Sequence, residues 1–242
     1  MIALLCAVQT EAEHILVSSS VFKSSTLGSK AIIEGRIGGQ SVLLCIGGVG
    51  KANAAHATTL LALHEPEALI IFGIGGAYPG SGAIIGDVVL AREEIAGDDG
   101  VLTRDGFKDF EYIGIPLLKT TTSVIYTTYP ASESSLEKAF RTLGRCPEAW
   151  AQRVRIGSFV TLSTCTGTIA RALELEHRYH SLCENMEGSA AAQVAALHGI
   201  PWLEVRGISN IVEDRNPGNW NIPAAALAAQ QAVRHIVEDW NE

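Results

Sequence analysis

Short apolar runs alternate with longer, alanine-rich segments along the whole chain. Residues 2–8, 68–72, 87–91, 154–162, 182–186 and 201–208 are apolar stretches of strand length bounded by turn residues, and read as strands. Residues 31–36 and 41–46 read as a strand pair, with Gly38-Gly39 at the turn. Helical spacing covers a segment near 11–18, then 51–64, 132–143, 168–177 and 188–197. The last helix starts near Pro223, with Asn221 as its cap and proline in its first turn, and runs to Trp240. Residues 73–82 read as a glycine-rich stretch following a strand, and 97–116 as a long irregular excursion. Strands alternating with helices predict an α/β layered fold with a largely parallel sheet. No Pro/Gly/Ser-rich linker divides the chain, so one domain over 1–242 is expected.

Composition narrows the possibilities. Of 242 residues, 47% are hydrophobic and 18% charged, enough for a sizeable core and incompatible with a disordered chain. The apolar runs are too short to span a bilayer. The N-terminus lacks a basic segment, and Gln9, Thr10, Glu11 and Glu13 cut its apolar stretch short, unlike a secretory signal. The net charge of −8 argues against nucleic acid or an anionic membrane as the main partner. Five cysteines without C-x-x-C spacing fit reduced thiols and a cytoplasmic protein, with Cys6, Cys45 and Cys183 filling core space. The seven histidines have no metal-ligand spacing; His177 and His180 read as a solvated helix face, so no metal is expected.

In sheets of this kind, ligands bind beyond the carboxyl ends of the strands. Those ends carry Gln9-Thr10-Glu11, the 73–77 glycine stretch, Ser163-Thr164-Cys165-Thr166-Gly167, Met186-Glu187 and Ser209-Asn210. Singly, each has a plain structural reading: a glutamate at a helix start, a Ser-Asn turn, a tight glycine turn. Together they supply two carboxylates, an amide and several hydroxyls to one crevice. Nucleotide-loop motifs fit poorly. Gly73-x-Gly75 is followed by Tyr78 where G-x-G-x-x-G needs glycine. In the P-loop reading of Gly48-Val49-Gly50-Lys51, Cys45 and Ala52 replace the required glycine and Ser/Thr.

The segments Ala7-Val8-Gln9-Thr10-Glu11, Ile46-Gly47-Gly48-Val49-Gly50-Lys51, Gly73-Ile74-Gly75-Gly76-Ala77-Tyr78, Glu184-Asn185-Met186-Glu187-Gly188 and Arg206-Gly207-Ile208-Ser209-Asn210 resemble the nucleoside phosphorylase/nucleosidase superfamily almost end to end. The Asn-Met-Glu-Gly and Gly-Ile-Ser-Asn versions resemble its futalosine hydrolase family, purine nucleosidases of menaquinone biosynthesis. The resemblance implies a three-layer α/β/α fold around a mixed, barrel-like sheet, and a homo-oligomer, dimer or tetramer. It also implies a small-molecule nucleoside substrate and no cofactor. By position it implies Glu11 as the base that activates water, Glu187 on the ribose hydroxyls and Met186 beneath the sugar. Asn210 and Ser209 fall at the purine edge, with Phe159, Thr164 and Cys165 around the purine. Gly73 and Arg206 would support the pocket, with Trp220 as an aromatic lid.

Two departures carry further expectations. Methylthioadenosine/adenosylhomocysteine nucleosidases have aspartate at the purine-edge position. Asn210 cannot act as an acid, but its NH₂ can donate to O6 or N7, which favours a 6-oxopurine and release of hypoxanthine. Ile74 falls where phosphorylases place a phosphate-binding serine, which favours water as nucleophile. The competing readings are a nucleosidase acting on methylthioadenosine, adenosylhomocysteine or aminodeoxyfutalosine, a phosphorylase, and a non-catalytic nucleoside-binding module.

Overall fold

The computed structural model describes residues 1–121 and 123–241, with Phe22 by its backbone alone. The strands are β1 (Ile2–Cys6), β2 (Ser20–Leu27), β3 (Lys30–Ile37), β4 (Gln40–Ile46), β5 (Ala68–Ala77), β6 (Val88–Ala96), β7 (Gly100–Thr103), β8 (Gly106–Asp109), β9 (Leu118–Lys119), β10 (Val124–Ile125), β11 (Thr128–Pro130), β12 (Arg155–Thr161), β13 (Cys183–Asn185) and β14 (Trp202–Ile211). The helices are α1 (Glu13–Ser18), α2 (Lys51–Ala62), α3 (Phe110–Ile113), α4 (Glu133–Leu143), α5 (Ile169–Tyr179), α6 (Gly188–His198) and α7 (Ile222–Glu238).

The main sheet follows the path β11-β6-β12-β13-β5-β1-β4-β3-β2, and β14 pairs with both β5 and β6. Strands β5, β13, β12, β6 and β14 therefore close into a five-stranded ring, from which β1, β4, β3 and β2 extend. The ring is mixed: β14–β5, β12–β13 and β12–β6 are parallel, whereas β13–β5 and β14–β6 are antiparallel. Closure gives every ring strand a neighbour on both sides and leaves β2 and β11 as the sheet's edges.

Alternation along β1 assigns the two outer layers. Ile2, Leu4 and Cys6 join a core with Ile15 of α1, Leu136 and Ala139 of α4, and Ala232, Val233 and Ile236 of α7. Ala3 and Leu5 face the opposite core, with Ala54, Ala57 and Leu61 of α2 and Ala191 and Ala195 of α6. A third cluster places Ala172 and Leu175 of α5 over Tyr78, Ile95, Val160 and Val212 at one end of the ring. This is the expected three-layer α/β/α arrangement around a barrel-like sheet. Cys6, Cys45 and Cys183 are buried, as expected. Among the described residues, no helix is long and apolar enough to cross a membrane.

The structure differs from the sequence reading in four places. Residues 73–77 of the glycine-rich stretch are the second half of β5, paired with β14, and not a loop after a strand; glycine stands at 73 and 76 because neighbouring side chains fill the space a Cβ would occupy. A Cβ on Gly73 would meet Glu11 Cδ at 2.9 Å and one on Gly76 would meet Val212 Cγ2 at 2.9 Å. Strand β2, polar and largely exposed, has no apolar alternation to announce it and forms by pairing with β3. The 97–116 excursion contains the β7–β8 hairpin and the one-turn helix α3. Finally, Phe159 lies in the middle of β12, fully buried in the α6-side core, and does not reach the cavity described next.

Candidate active site

The carboxyl ends of β1, β5, β12, β13 and β14 open into a cavity of about 190 Å³. It is lined by Glu11, Thr164, Cys165, Met186, Glu187, Arg206, Ser209, Asn210 and Trp220, all expected as site residues, by Ile74 and Thr166, which were expected at strand ends facing the crevice without a binding role, and by Val49 and Glu184, which were expected only as parts of the resembling segments. Gly73 lies behind the lining, where the absence of a side chain makes room for Glu11 and Arg206.

Glu11 ends a single turn that follows β1 and is 3% exposed. Its Oε2 accepts from the amides of Ala7 at 2.9 Å and Val8 at 3.2 Å, and its Oε1 from that of Ile74 at 2.9 Å. These bonds fix the carboxylate on β1 and β5 at once. Burial pushes its pKa above the usual glutamate value, opposed by the Arg206 guanidinium and the backbone amides. A carboxylate so held is a competent proton acceptor.

Glu187 stands at the junction of β13 and α6. Its Oε1 accepts from the Gly50 amide at 3.0 Å, and its Oε2 lies 3.3 Å from Arg206 Nη1. Arg206, 2% exposed, also donates through Nε to Glu204 at 2.7 Å and through Nη1 to the Ile74 carbonyl at 3.1 Å. Next to Glu187, the Met186 thioether is 3.5 Å from the Cys165 thiol, so an apolar surface adjoins the carboxylate.

Asn210 has a defined orientation. The Ile211 carbonyl can only accept, so the atom 3.1 Å from it is the Asn210 NH₂. Oδ1 then faces the Ser209 hydroxyl at 2.8 Å. One N–H is occupied by Ile211, and the second has no partner among the described residues, on a side chain that lines the cavity. Glu184 sits on the neighbouring wall, where both of its oxygens hold Thr166: Oε1 takes the amide at 2.9 Å and Oε2 the hydroxyl at 2.6 Å. Tyr78 Oη donates to the same Oε2 at 3.2 Å. Glu184 thereby anchors the 163–167 loop. The loop's outer end is tied down by Asp98, which accepts from the Ser163 amide at 2.7 Å and pairs with Lys51. Trp220, just before α7, carries the Arg215 guanidinium 4.8 Å from its ring centroid.

Glu184 was open to detection, since it belongs to the same short segment as Met186 and Glu187 and is a charge on a buried strand. Thr166 was open to detection as part of a strand-end segment, whereas Val49 stood out only as one residue of the 46–51 segment. Elsewhere, the side chains of Cys146, Glu148 and His235 approach within 4.8 Å of one another, a cluster that chain spacing does not reveal. None of the three lines the cavity. His235 Nε2 lies 2.8 Å from Glu148 Oε1, and burial pushes the Cys146 thiol up to about 11.

The phosphorylase superfamily model matches residues 1–238. A futalosine hydrolase of Streptomyces coelicolor is 36% identical over 207 residues, 81% of this chain and 80% of that protein. A futalosine hydrolase of Thermus thermophilus is 31% identical over 193 residues, 79% of each chain. A 5′-methylthioadenosine/S-adenosylhomocysteine nucleosidase of Mycobacterium tuberculosis is 24% identical over 239 residues, 96% of this chain and 93% of that protein. Among solved structures, an S-adenosylhomocysteine nucleosidase of Streptococcus pyogenes in complex with 5-methylthiotubericidin superposes with a TM-score of 0.85 at 21% identity, covering 100% of this chain and 97% of that one. The chain belongs to the phosphorylase superfamily and is an enzyme of its N-glycosyl hydrolase kind.

Proposed function

We propose that this nucleosidase hydrolyses the N-glycosidic bond of futalosine, releasing hypoxanthine, a step of menaquinone biosynthesis. The observation that carries the reading is the pairing of Glu11 and Glu187 across one cavity with the spare N–H of Asn210. In the reaction, a water oxygen bonds to C1′ as the C1′–N9 bond breaks, through an oxocarbenium-like transition state. Glu11 takes the proton of the attacking water. Glu187 accepts from the ribose hydroxyls, a contact that strengthens as positive charge develops on the sugar. Asn210 donates a hydrogen bond to N7 or O6 as the base departs with the electron pair of the C1′–N9 bond; the purine anion then takes a proton from solvent and Glu11 gives its own up to solvent, and Met186 and Trp220 enclose sugar and purine. Ile74, whose backbone amide is already given to Glu11, offers no hydroxyl to a phosphate. Arg215, stacked on Trp220, is the cation we assign to the acidic end of the substrate's 5′ substituent.

The test is chromatographic detection of free base from futalosine without added phosphate, with aminodeoxyfutalosine, methylthioadenosine and inosine alongside. Hypoxanthine from futalosine is the expected product. Adenine from the 6-aminopurine substrates would select the alternative, a methylthioadenosine/adenosylhomocysteine or aminodeoxyfutalosine nucleosidase. That alternative is favoured by the relative of that name matching 96% of the chain. Release only with phosphate would select a phosphorylase.

A further inference from the structure

Beneath the cavity, inside the closed ring, lie two carboxyl groups that the proposed reaction does not use. Glu94 of β6 and Glu204 of β14 are both 0% exposed. They face each other across the first residue of α6: a Cβ on Gly188 would overlap Glu94 Oε1 and lie 2.5 Å from Glu204 Oε2. Glu204 Oε1 is taken by Arg206 Nε at 2.7 Å, but Glu204 Oε2 is fully buried and has no hydrogen-bond donor. A buried carboxylate oxygen left in that state is costly. One proton between Glu94 Oε1 and Glu204 Oε2 satisfies it and removes the repulsion between two buried like charges.

The pair leads to Glu187 by two routes. Through Glu204 it holds Arg206, whose Nη1 meets Glu187 Oε2 at 3.3 Å. Through Glu94 it holds Asn185 Nδ2 with one oxygen and the Thr161 hydroxyl, at 2.7 Å, with the other. Asn185 Oδ1 in turn accepts from the amides of Glu187 at 2.9 Å and Gly188 at 2.7 Å, and Thr161 Oγ1 from that of Ser189 at 2.7 Å. The side chain of Glu187 and the backbone turn that carries it are thus both set by one acid pair.

We propose that Glu94 and Glu204 share a single proton and act together as positioning residues for Glu187. The inference rests on the ribose-binding role given to Glu187 above. The charged and titratable groups around the pair are Arg206 on its own strand β14, Cys183 on β13, Glu187 at the start of α6, and Glu11 beyond Arg206. Burial raises the pKa of both carboxyls, in keeping with a proton held at neutral pH. A pair with one proton carries one negative charge. Replacing either member by glutamine preserves that charge, because the partner ionises and the amide donates to it. Replacing both removes it, leaving Arg206 with Glu187 and Glu11 alone.

The experiment compares wild type, Glu94→Gln, Glu204→Gln and the double variant. It reads kcat and KM for futalosine, circular dichroism for folding, and the infrared carbonyl band of protonated carboxyl groups at neutral pH. Glu204→Gln keeps every bond of the network, and kcat within about fivefold of wild type is expected. The double variant should lose about 100-fold in kcat, the scale of a misplaced catalytic contact, with a much smaller change in KM. The infrared band should be present in wild type and absent from both single variants. Glu204→Gln losing as much kcat as the double variant, or no such band in folded wild type, overturns the proposal. The infrared comparison of wild type with the folded single variants needs no turnover, and loss of the band in them assigns it to this pair rather than to Glu11 or Glu184, whose carboxyls burial also raises. If the enzyme cleaves no futalosine, the functional reading fails while the shared proton is still decided.

Discussion

The two walls of the cavity are built in opposite ways. On the side that the proposed reaction gives to the sugar, Glu11, Glu187 and Arg206 are almost wholly buried and held by backbone amides and other buried charges. On the side given to the base, only Ser209 and Asn210 come from a buried strand, β14, whereas Thr164, Cys165 and Trp220 belong to connecting segments after β12 and before α7 and are more exposed. The sugar wall places charge where it must already be correct before the reaction begins, which calls for fixed dipoles in a low-dielectric setting. The base wall is free to differ between enzymes that share the reaction and not the substrate. A common scaffold with variable loops is how one fold serves several specificities.

If that contrast holds, changes on the sugar wall strike kcat, and those on the base wall strike KM or substrate choice. The largest effect is expected from Glu11→Gln, which should lower kcat about 1000-fold while ligand still binds, as seen by steady-state kinetics and titration calorimetry. Near-normal turnover would remove Glu11 as the base. The raised Glu11 carboxyl also has a pH signature. kcat/KM should climb as pH passes upward through a value above 4.5, the usual glutamate value, because only the ionised form accepts a proton. Stability has the opposite sign. A carboxyl whose pKa is raised by folding stabilises the protein below its unfolded value and loses that contribution as pH rises through the folded one. A thermal-unfolding series across pH checks it.

Asn210→Asp comes next and probes the base wall. It should move the preference between 6-oxopurine and 6-aminopurine nucleosides by about 100-fold, measured as a ratio of kcat/KM values. An unchanged ratio would sink the purine-edge argument. Gly188→Ala attacks the support of the sugar wall, since the new methyl overlaps the Glu94 carboxyl. A loss of about 1–3 kcal/mol in denaturant unfolding is expected, with a fall in kcat. Smallest is Trp220→Ala, which should raise KM about fivefold and leave kcat nearly intact.

The sequence carried the sugar wall better than the base wall, for physical reasons. Glu11 and Glu187 are charges at the ends of apolar strands, positions where the crevice rule points directly, and the motifs around them are short and contiguous. Asn210 was legible in the same way. Phe159 was expected around the purine only by resemblance, which carries a segment's position and not the direction of each side chain in it. Alternation along β12 instead turns this ring into the α6-side core. Glycines 73, 75 and 76 looked like a loop because their low strand propensity is a local property. Their place in β5 is set by Glu11, Glu184 and Val212, which arrive from distant parts of the chain. Glu204 falls inside the expected apolar strand 201–208, whereas Glu94 lies past the end of the expected strand 87–91, in the polar run Arg92-Glu93-Glu94, and only ring closure brings β6 and β14 together. Strand β2 has no apolar face to reveal it.

Of the four tryptophans, Trp150 and Trp202 are core residues and Trp240 lies beyond the end of α7, whereas Trp220 lines the cavity. Its indole sits under a guanidinium and beside the space a purine would fill. The protein therefore carries its own optical gauge of occupancy: intrinsic fluorescence should change as the site fills, with the three distant indoles as a constant background.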